Sequence, residues 1–245
     1  MRETRVLMGM PITIEIVDAP LSVLASVFDY FAEVDGRFST YKPDSEIMRI
    51  NRGELAEPAY SPQMKEVFAL AQQTRRDTDG YFSITRPDGF IDPSGLVKGW
   101  AIHNAAKLVE HMGYKNYFLD VGGDIAPGGT DAMGHAWTVG IRNPFNAGEI
   151  VKVVRPEGRG VATSGTYIRG QHIYNPYTPG HTIDDIVSIT VIGPNIYEAD
   201  RFATAAFAMG REGIAFVERL PGFEGYLIDT EGIATMTSGF QELVA

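Results

Sequence analysis

Cysteine is absent from the 245 residues. That excludes disulfides, thiolate metal sites and cysteine nucleophiles, so the chemistry must rest on oxygen and nitrogen groups. Long apolar runs are absent as well. No stretch approaches the ~18 consecutive apolar residues that would cross a bilayer as a helix. Positive charge is scarce, with 21 Lys and Arg against 31 Asp and Glu and a formal net charge of −10. Without a basic run, the chain lacks the means by which nucleic-acid binders neutralise phosphates, and an anionic membrane surface is an equally poor partner. An acidic chain that holds a diphosphate must recruit a cation or use backbone N–H groups. No linker, charge block, low-complexity run or fixed-period repeat divides the sequence, so residues 1–245 read as one domain. The N-terminus runs directly into an alternating stretch, Val6 to Val17, which includes Pro11, Thr13 and Glu15. It reads as a strand and not as a signal peptide, and the chain is expected to be cytoplasmic.

What is present is a mixture of helical and extended patterns. One strand is expected over 5–17. Leu21, Leu24, Val27, Phe28, Phe31 and Val34 recur at helical spacing over 20–34. Ser61-Pro62 opens a helix over 61–77, and a helix over 96–112 ends at Gly113. Strands are expected near 116–121, 136–142, 149–155, 160–168 and 185–193. Asn195 and Glu198 resemble a capping box for a helix over 196–209 that stops at Gly210. A short helix near 211–219 and strands near 224–229 and 232–237 complete the chain. Runs of consecutive strands favour antiparallel pairing and an α+β class.

Four segments suggest chemistry. Asp92-Pro-Ser-Gly-Leu-Val-Lys-Gly99 opens a helix. Its glycines allow close backbone approach, and Lys98 adds a cation to the helix N-terminus, which suits an anion; a plain turn before a solvated lysine would read the same way. Asp120-Val-Gly-Gly-Asp-Ile125 follows an apolar strand. Its Gly pair suits either a flat ligand or a tight turn. Ala162-Thr-Ser-Gly-Thr-Tyr167 and His172-Ile-Tyr-Asn-Pro176 bring hydroxyls and one histidine close together. The histidine is a candidate general base, with a structural hairpin as the alternative. No Gly-x-Ser-x-Gly elbow surrounds the serine. In Glu198 to Met209, Asp200 and Thr204 stand four apart on one helix face. A carboxylate and a buried hydroxyl suit a hard cation, and a helix-dipole aspartate with a back-bonded threonine is the competing reading.

In this order, the segments resemble those of the FAD:protein FMN transferases, the ApbE family, over nearly the whole chain. The similarity begins at Met8-Gly-Met-Pro11 and continues through Phe38-Ser-Thr-Tyr41, Ser45-Glu46 and Asn51. The family's Asp-Leu-Gly-Gly-Ile-Ala-Lys-Gly-Tyr-Ala resembles Asp92 to Ala101, and its Asn/Asp-x-Gly-Gly-Asp-Ile resembles Asp120 to Ile125. Trp137 to Pro144, Thr163-Ser-Gly165, His172 to Pro176, and Ala199-Asp200 with Thr204-Ala205 complete the match. The chain departs from the pattern at Pro93, Ser94, Val97, His103 and Tyr174-Asn175. Many relatives are longer, exported lipoproteins, which this chain does not resemble.

The resemblance implies a T-fold-like arrangement of antiparallel sheets and helices. It also implies a reaction in which FAD and a Thr or Ser hydroxyl of an acceptor flavoprotein yield a flavin phosphoester and AMP. By the same resemblance, Mg²⁺ would be held by Asp200, Thr204 and the backbone carbonyl of Val97. His172 would take the proton from the attacking hydroxyl, and Lys98 with nearby N–H groups would bind the diphosphate. Tyr41 and Tyr81 would pack on the adenine or flavin ring, and Gly122, Gly123, Asp124 and Ser164 would shape the FAD site. A metal-dependent FAD pyrophosphatase and a non-catalytic flavin carrier remain alternatives. No nucleic acid and no membrane span enter any of these readings.

Overall fold

The computed structural model describes residues 1–166, 173–178 and 180–245. Eight strands form one sheet in the order β1-β2-β3-β4-β7-β8-β9-β10, and every adjacent pair is antiparallel. They are β1 (Arg2–Leu7), β2 (Met10–Ile16), β3 (Tyr117–Val121), β4 (Asp124–Gly128), β7 (Gly160–Gly165), β8 (Ile186–Gly193), β9 (Glu224–Asp229) and β10 (Ala234–Met236). The hairpin of β5 (Val139–Asn143) and β6 (Asn146–Val154) stands apart as a second sheet. The helices are α1 (Leu21–Phe38), α2 (Glu46–Asn51), α3 (Pro62–Asp77), α4 (Ser94–His111), α5 (Ile196–Ala208) and α6 (Gly213–Glu218). The α+β class with antiparallel pairing is therefore the class observed.

Period-two alternation along the central strands feeds two cores. Ala126, Ala162, Ile189, Val191 and Leu227 join the larger core, with the buried faces of the helices. Their neighbours Ile125, Val161, Ile192, Tyr226 and Ile228 face the other way, towards Val139 and Ile141 of β5, Val154 of β6, and Phe240 and Leu243 near the C-terminus. Burying each such large side chain is worth ~1.5–3 kcal/mol. In α1, Leu24, Val27, Phe28, Phe31, Val34 and Phe38 are buried at the expected spacing, while Leu21 is exposed. Ser61 caps α3 by accepting the Met64 N–H at 3.1 Å. Asn195 caps α5 by accepting the Glu198 N–H at 3.0 Å. The Glu198 carboxylate does not close the box; it pairs with Arg201 at 2.6 Å.

Several boundaries differ from expectation. The single strand over 5–17 is two strands, because Met8 and Gly9 at φ of 53° and 72° turn the chain into a hairpin. Strand β4 was not anticipated. Gly122 and Gly123, at φ of 62° and 98°, turn β3 back so that Val121 pairs with Asp124. Helix α2 was also missed, since six residues are too few for a periodic signal. The strand expected over 160–168 is described to Gly165, and Tyr167 and Ile168 lie outside the described residues. No described helix is long and apolar enough to cross a membrane.

Candidate active site at the junction of two helices and the sheet

Helices α4 and α5 meet where neither bears a side chain large enough to hold them apart. A methyl group on Gly99 would stand 2.6 Å from Asp200 Cβ, and one on Gly95 would stand 3.3 Å from Thr204 Cγ2. These two glycines therefore serve the contact between the helices. The contact places Asp200 beside the second turn of α4, where its Oδ2 accepts the Gly99 N–H at 2.7 Å. Thr204 donates to the Gly95 carbonyl at 3.3 Å, so its hydroxyl bonds across to α4 and not back along α5.

The ammonium of Lys98 lies between two carboxylates, 2.6 Å from Asp124 Oδ2 and 3.4 Å from Asp200 Oδ1. Asp124 is the first residue of β4, and its Oδ1 accepts the Thr163 N–H at 3.1 Å. Its Oδ2 has the Lys98 ion pair and no further hydrogen-bond donor among the described residues. Both aspartates are buried, at 1% and 2% exposure, so one cation faces two desolvated anions. Burial is the main cause that raises the Asp200 carboxyl to about 7; Lys98 opposes the rise and Asp124 adds to it. Among the described residues, the cluster sets one ammonium against two buried carboxyl groups. The oxygen donors beside it suit a hard divalent cation, namely the Asp200 carboxylate, the Thr204 hydroxyl and the Gly95 carbonyl.

A cleft of about 580 Å³ opens above this cluster. Lys98, Asp200 and Thr204 form part of its lining, with Gly122, Thr163, Ser164 and Gly165 from the sheet. A third wall comes from loops. Ile173 to Thr178 lies against the segment that follows α3. The Tyr177 hydroxyl donates to the Asp79 carbonyl, and the Tyr174 hydroxyl donates to the Thr85 carbonyl at 3.0 Å. The Tyr177 ring meets Tyr81 edge-on, with centroids 4.9 Å apart.

Most of the residues singled out in the sequence come together here. Tyr41, Tyr81, Lys98, Gly122, Ser164, Asp200 and Thr204 line the cleft, and Asp124 reaches it through Lys98. Tyr41 is 95% exposed at its rim. Gly123 is not in the lining; it borders a smaller adjoining hollow with Asp120 and Arg142, because the hairpin turn points it to the other side. The Val97 side chain is buried in the larger core, and the carbonyl bonded to Thr204 is that of Gly95. His172 lies outside the described residues. Arg86, Asp92, His181 and Thr182 also line the cleft and were passed over. Asp92 had a signal, as the head of the Asp-Pro-Ser-Gly turn. The others sit in loops without periodicity, and only the fold brings them to the site.

The ApbE family model matches residues 8–88 and 85–227. The chain is 29% identical over 197 residues to the FAD:protein FMN transferase of Escherichia coli K12, covering 74% of this chain and 56% of that protein. It is 27% identical over 259 residues to the protein of the same name from Salmonella typhimurium, covering 81% and 74%. The chain thus spans little more than half the length of the first of these relatives. In fold it is similar to the flavin transferase ApbE from Vibrio cholerae, with a TM-score of 0.85 at 23% identity over 99% of this chain and 98% of that one. The ApbE protein of Thermotoga maritima also superposes with a TM-score of 0.85, at 18% identity over 100% and 99%. With a family model that covers nearly all of its length and the same fold as solved members, the chain belongs to the ApbE family.

Proposed function

We propose that this chain binds FAD with a divalent metal and transfers the FMN half to a Thr or Ser hydroxyl of an acceptor protein, releasing AMP. The observation that carries this reading is the buried cluster of Lys98, Asp124 and Asp200 at the base of a cleft roomy enough for a large ligand. Lys98 would hold a diphosphate oxygen, and the fixed donors of the α4 turn would orient it. Tyr41 and Tyr81 offer aromatic faces for the adenine or flavin ring. Asp200, Thr204 and a carbonyl of the Gly95 to Val97 turn would hold Mg²⁺, which supplies charge neutralisation at the diphosphate and the departing phosphate. His172 would accept the proton of the attacking hydroxyl. A new bond then forms from that oxygen to the phosphorus on the FMN side, and the phosphoanhydride bond to AMP breaks. Positioning and charge neutralisation are the main demands of such a transfer.

Incubation with FAD, Mg²⁺ and a candidate acceptor protein, followed by mass spectrometry, tests the proposal. Covalent FMN on the acceptor with released AMP is the expected result. Free FMN and AMP with an unlabelled acceptor would replace the transferase reading with that of a pyrophosphatase. Unchanged FAD would leave a flavin carrier.

A further inference from the structure

Strand β7 runs past the strand beside it. On one side it pairs with β8 along its whole length, from Gly160 to Gly165. On the other side it pairs with β4 at one position only, Val161 opposite Ile125. The hydrogen-bond phase of the β7–β8 ladder shows where the remaining backbone groups point. The Thr166 N–H donates to the Val187 carbonyl, so Thr166 and Val187 form a hydrogen-bonded pair. In an antiparallel ladder such pairs alternate. Ser164 and Ala162 therefore turn their amide groups to β8, while Val161, Thr163 and Gly165 turn theirs to the opposite side. Two bonds on that side agree with this phase. Val161 meets β4, and the Thr163 N–H is taken by the Asp124 carboxylate in place of a strand partner.

Beyond that point the neighbouring hairpin has turned away through Gly122 and Gly123. By this phase the Thr163 carbonyl and both backbone groups of Gly165 point away from β8, and β4 supplies no ladder partner opposite either residue. Both residues are half-buried and both line the cleft. Unpaired strand-edge groups are a template for another extended chain. Groups two residues apart on one edge are spaced ~6.6 Å, the repeat that an added strand offers on its facing side.

Resting on the transferase reading above, we infer that this overhang of β7 is the docking edge for the acceptor. An extended acceptor segment pairs with Gly165 and the Thr163 carbonyl and presents its hydroxyl residue to the Lys98 and Asp200 cluster. Gly165 has no side chain to stand between the edge and an incoming backbone. Main-chain pairing would supply register and affinity, and the side chains that line the cleft beside the edge would read the alternate side chains of the acceptor segment.

The probe is a pool of octapeptides with one central Thr and randomised flanks, incubated with the protein, FAD and Mg²⁺. Labelled peptides are identified by the mass of the added flavin phosphate and resynthesised with a single backbone N-methyl group at each position in turn. Strand addition predicts an alternating pattern: methylation at every second residue near the Thr lowers labelling about tenfold or more, and methylation between them is tolerated. Gly165→Pro removes one donor of the edge and leaves the β7–β8 ladder bonds in place, and should lower peptide labelling to a similar extent. Uniform tolerance of methylation in labelled peptides, or Gly165→Pro labelling them as well as the wild type, would overturn the docking edge alone. A fall in FAD affinity that matches the fall in labelling by Gly165→Pro would assign the edge to the flavin ring and overturn it too. FMN released to water with no peptide labelled, or FAD recovered unaltered, would instead overturn the transferase reading on which it rests.

Discussion

At the scale of single residues, the site turns on the charged groups of Lys98, Asp124 and Asp200, with His172 as the proposed proton acceptor. Asp200→Asn keeps the shape of the side chain and removes the anion. The expected outcome is loss of metal-dependent turnover with a retained fold, read by activity with Mg²⁺ and by circular dichroism. The same variant tests the pH dependence of the metal-free protein. Asp200 titrates near its ordinary value of ~3.9 when unfolded and at about 7 when folded. The folded state holds the extra proton between those values, so this group's contribution to stability is full below pH ~4 and is lost as pH rises to ~7. Melting in EDTA should show the wild-type midpoint falling across that window relative to Asp200→Asn. Parallel curves would show that the buried carboxyl is not the cause. His172→Ala should lower single-turnover transfer at saturating FAD by ~10²-fold or more and change FAD affinity little. An unchanged single-turnover rate would remove this histidine from the mechanism. At this scale much was legible: Asp200 and Thr204 by their spacing, and Lys98 by its place in a helix start. What could not be read was that Lys98 stands between two buried carboxylates, since Asp124 and Asp200 lie 76 positions apart (200 − 124).

At the scale of elements, the contact of α4 with α5 decides whether those charges meet. Gly99→Ala would drive a methyl group to 2.6 Å from Asp200 Cβ. Overpacking of this kind costs ~1–3 kcal/mol, and relief requires the two helices to separate. The variant should therefore unfold at lower urea concentration and lose activity beyond what its stability loss explains. Normal turnover by the folded fraction would show that the site tolerates the separation. The loop wall behaves differently. Tyr174→Phe with Tyr177→Phe removes two exposed hydroxyl contacts, to Thr85 and Asp79, and keeps the rings. Stability should change by under ~1 kcal/mol for each, while KM for FAD should rise several-fold with kcat nearly preserved if the proposed site holds, because this wall borders the cleft away from the charged cluster. Equal effects on KM and kcat would give these tyrosines a different role. The helices with a clear apolar stripe or a side-chain cap, α1 by its stripe and α3 and α5 by the Ser61 and Asn195 caps, were readable to within a few residues. The hairpin at Met8-Gly9 was not, because it is none of the Asn-Gly, Asp-Gly or Gly-Gly dipeptides that announce such a turn, and the Gly122-Gly123 pair suited a tight turn and a flat ligand equally.

At the scale of the whole molecule, the cleft draws Tyr41 and Lys98 from one half of the chain and Ser164 and Thr204 from the other. Binding should therefore stabilise the fold globally and need no partner protein. FAD at ~100 times its dissociation constant with Mg²⁺ present should add ~2.7 kcal/mol, visible as a rise in the melting temperature. No shift at saturating FAD would contradict the site. The sequence alone determined the α+β class, the helix faces, the dependence of any site on oxygen and nitrogen groups, and the family resemblance. Each of these follows from composition, local periodicity or motifs in fixed order, which need no knowledge of distant contacts. Only the tertiary structure decided that Gly95 and Gly99 serve the meeting of two helices, that Asp124 and Asp200 share one ammonium, and that β7 overruns its neighbour beside the cleft. Those facts depend on pairings between segments far apart in the chain, where burial and close approach set the energies, and no local pattern in the residues encodes them.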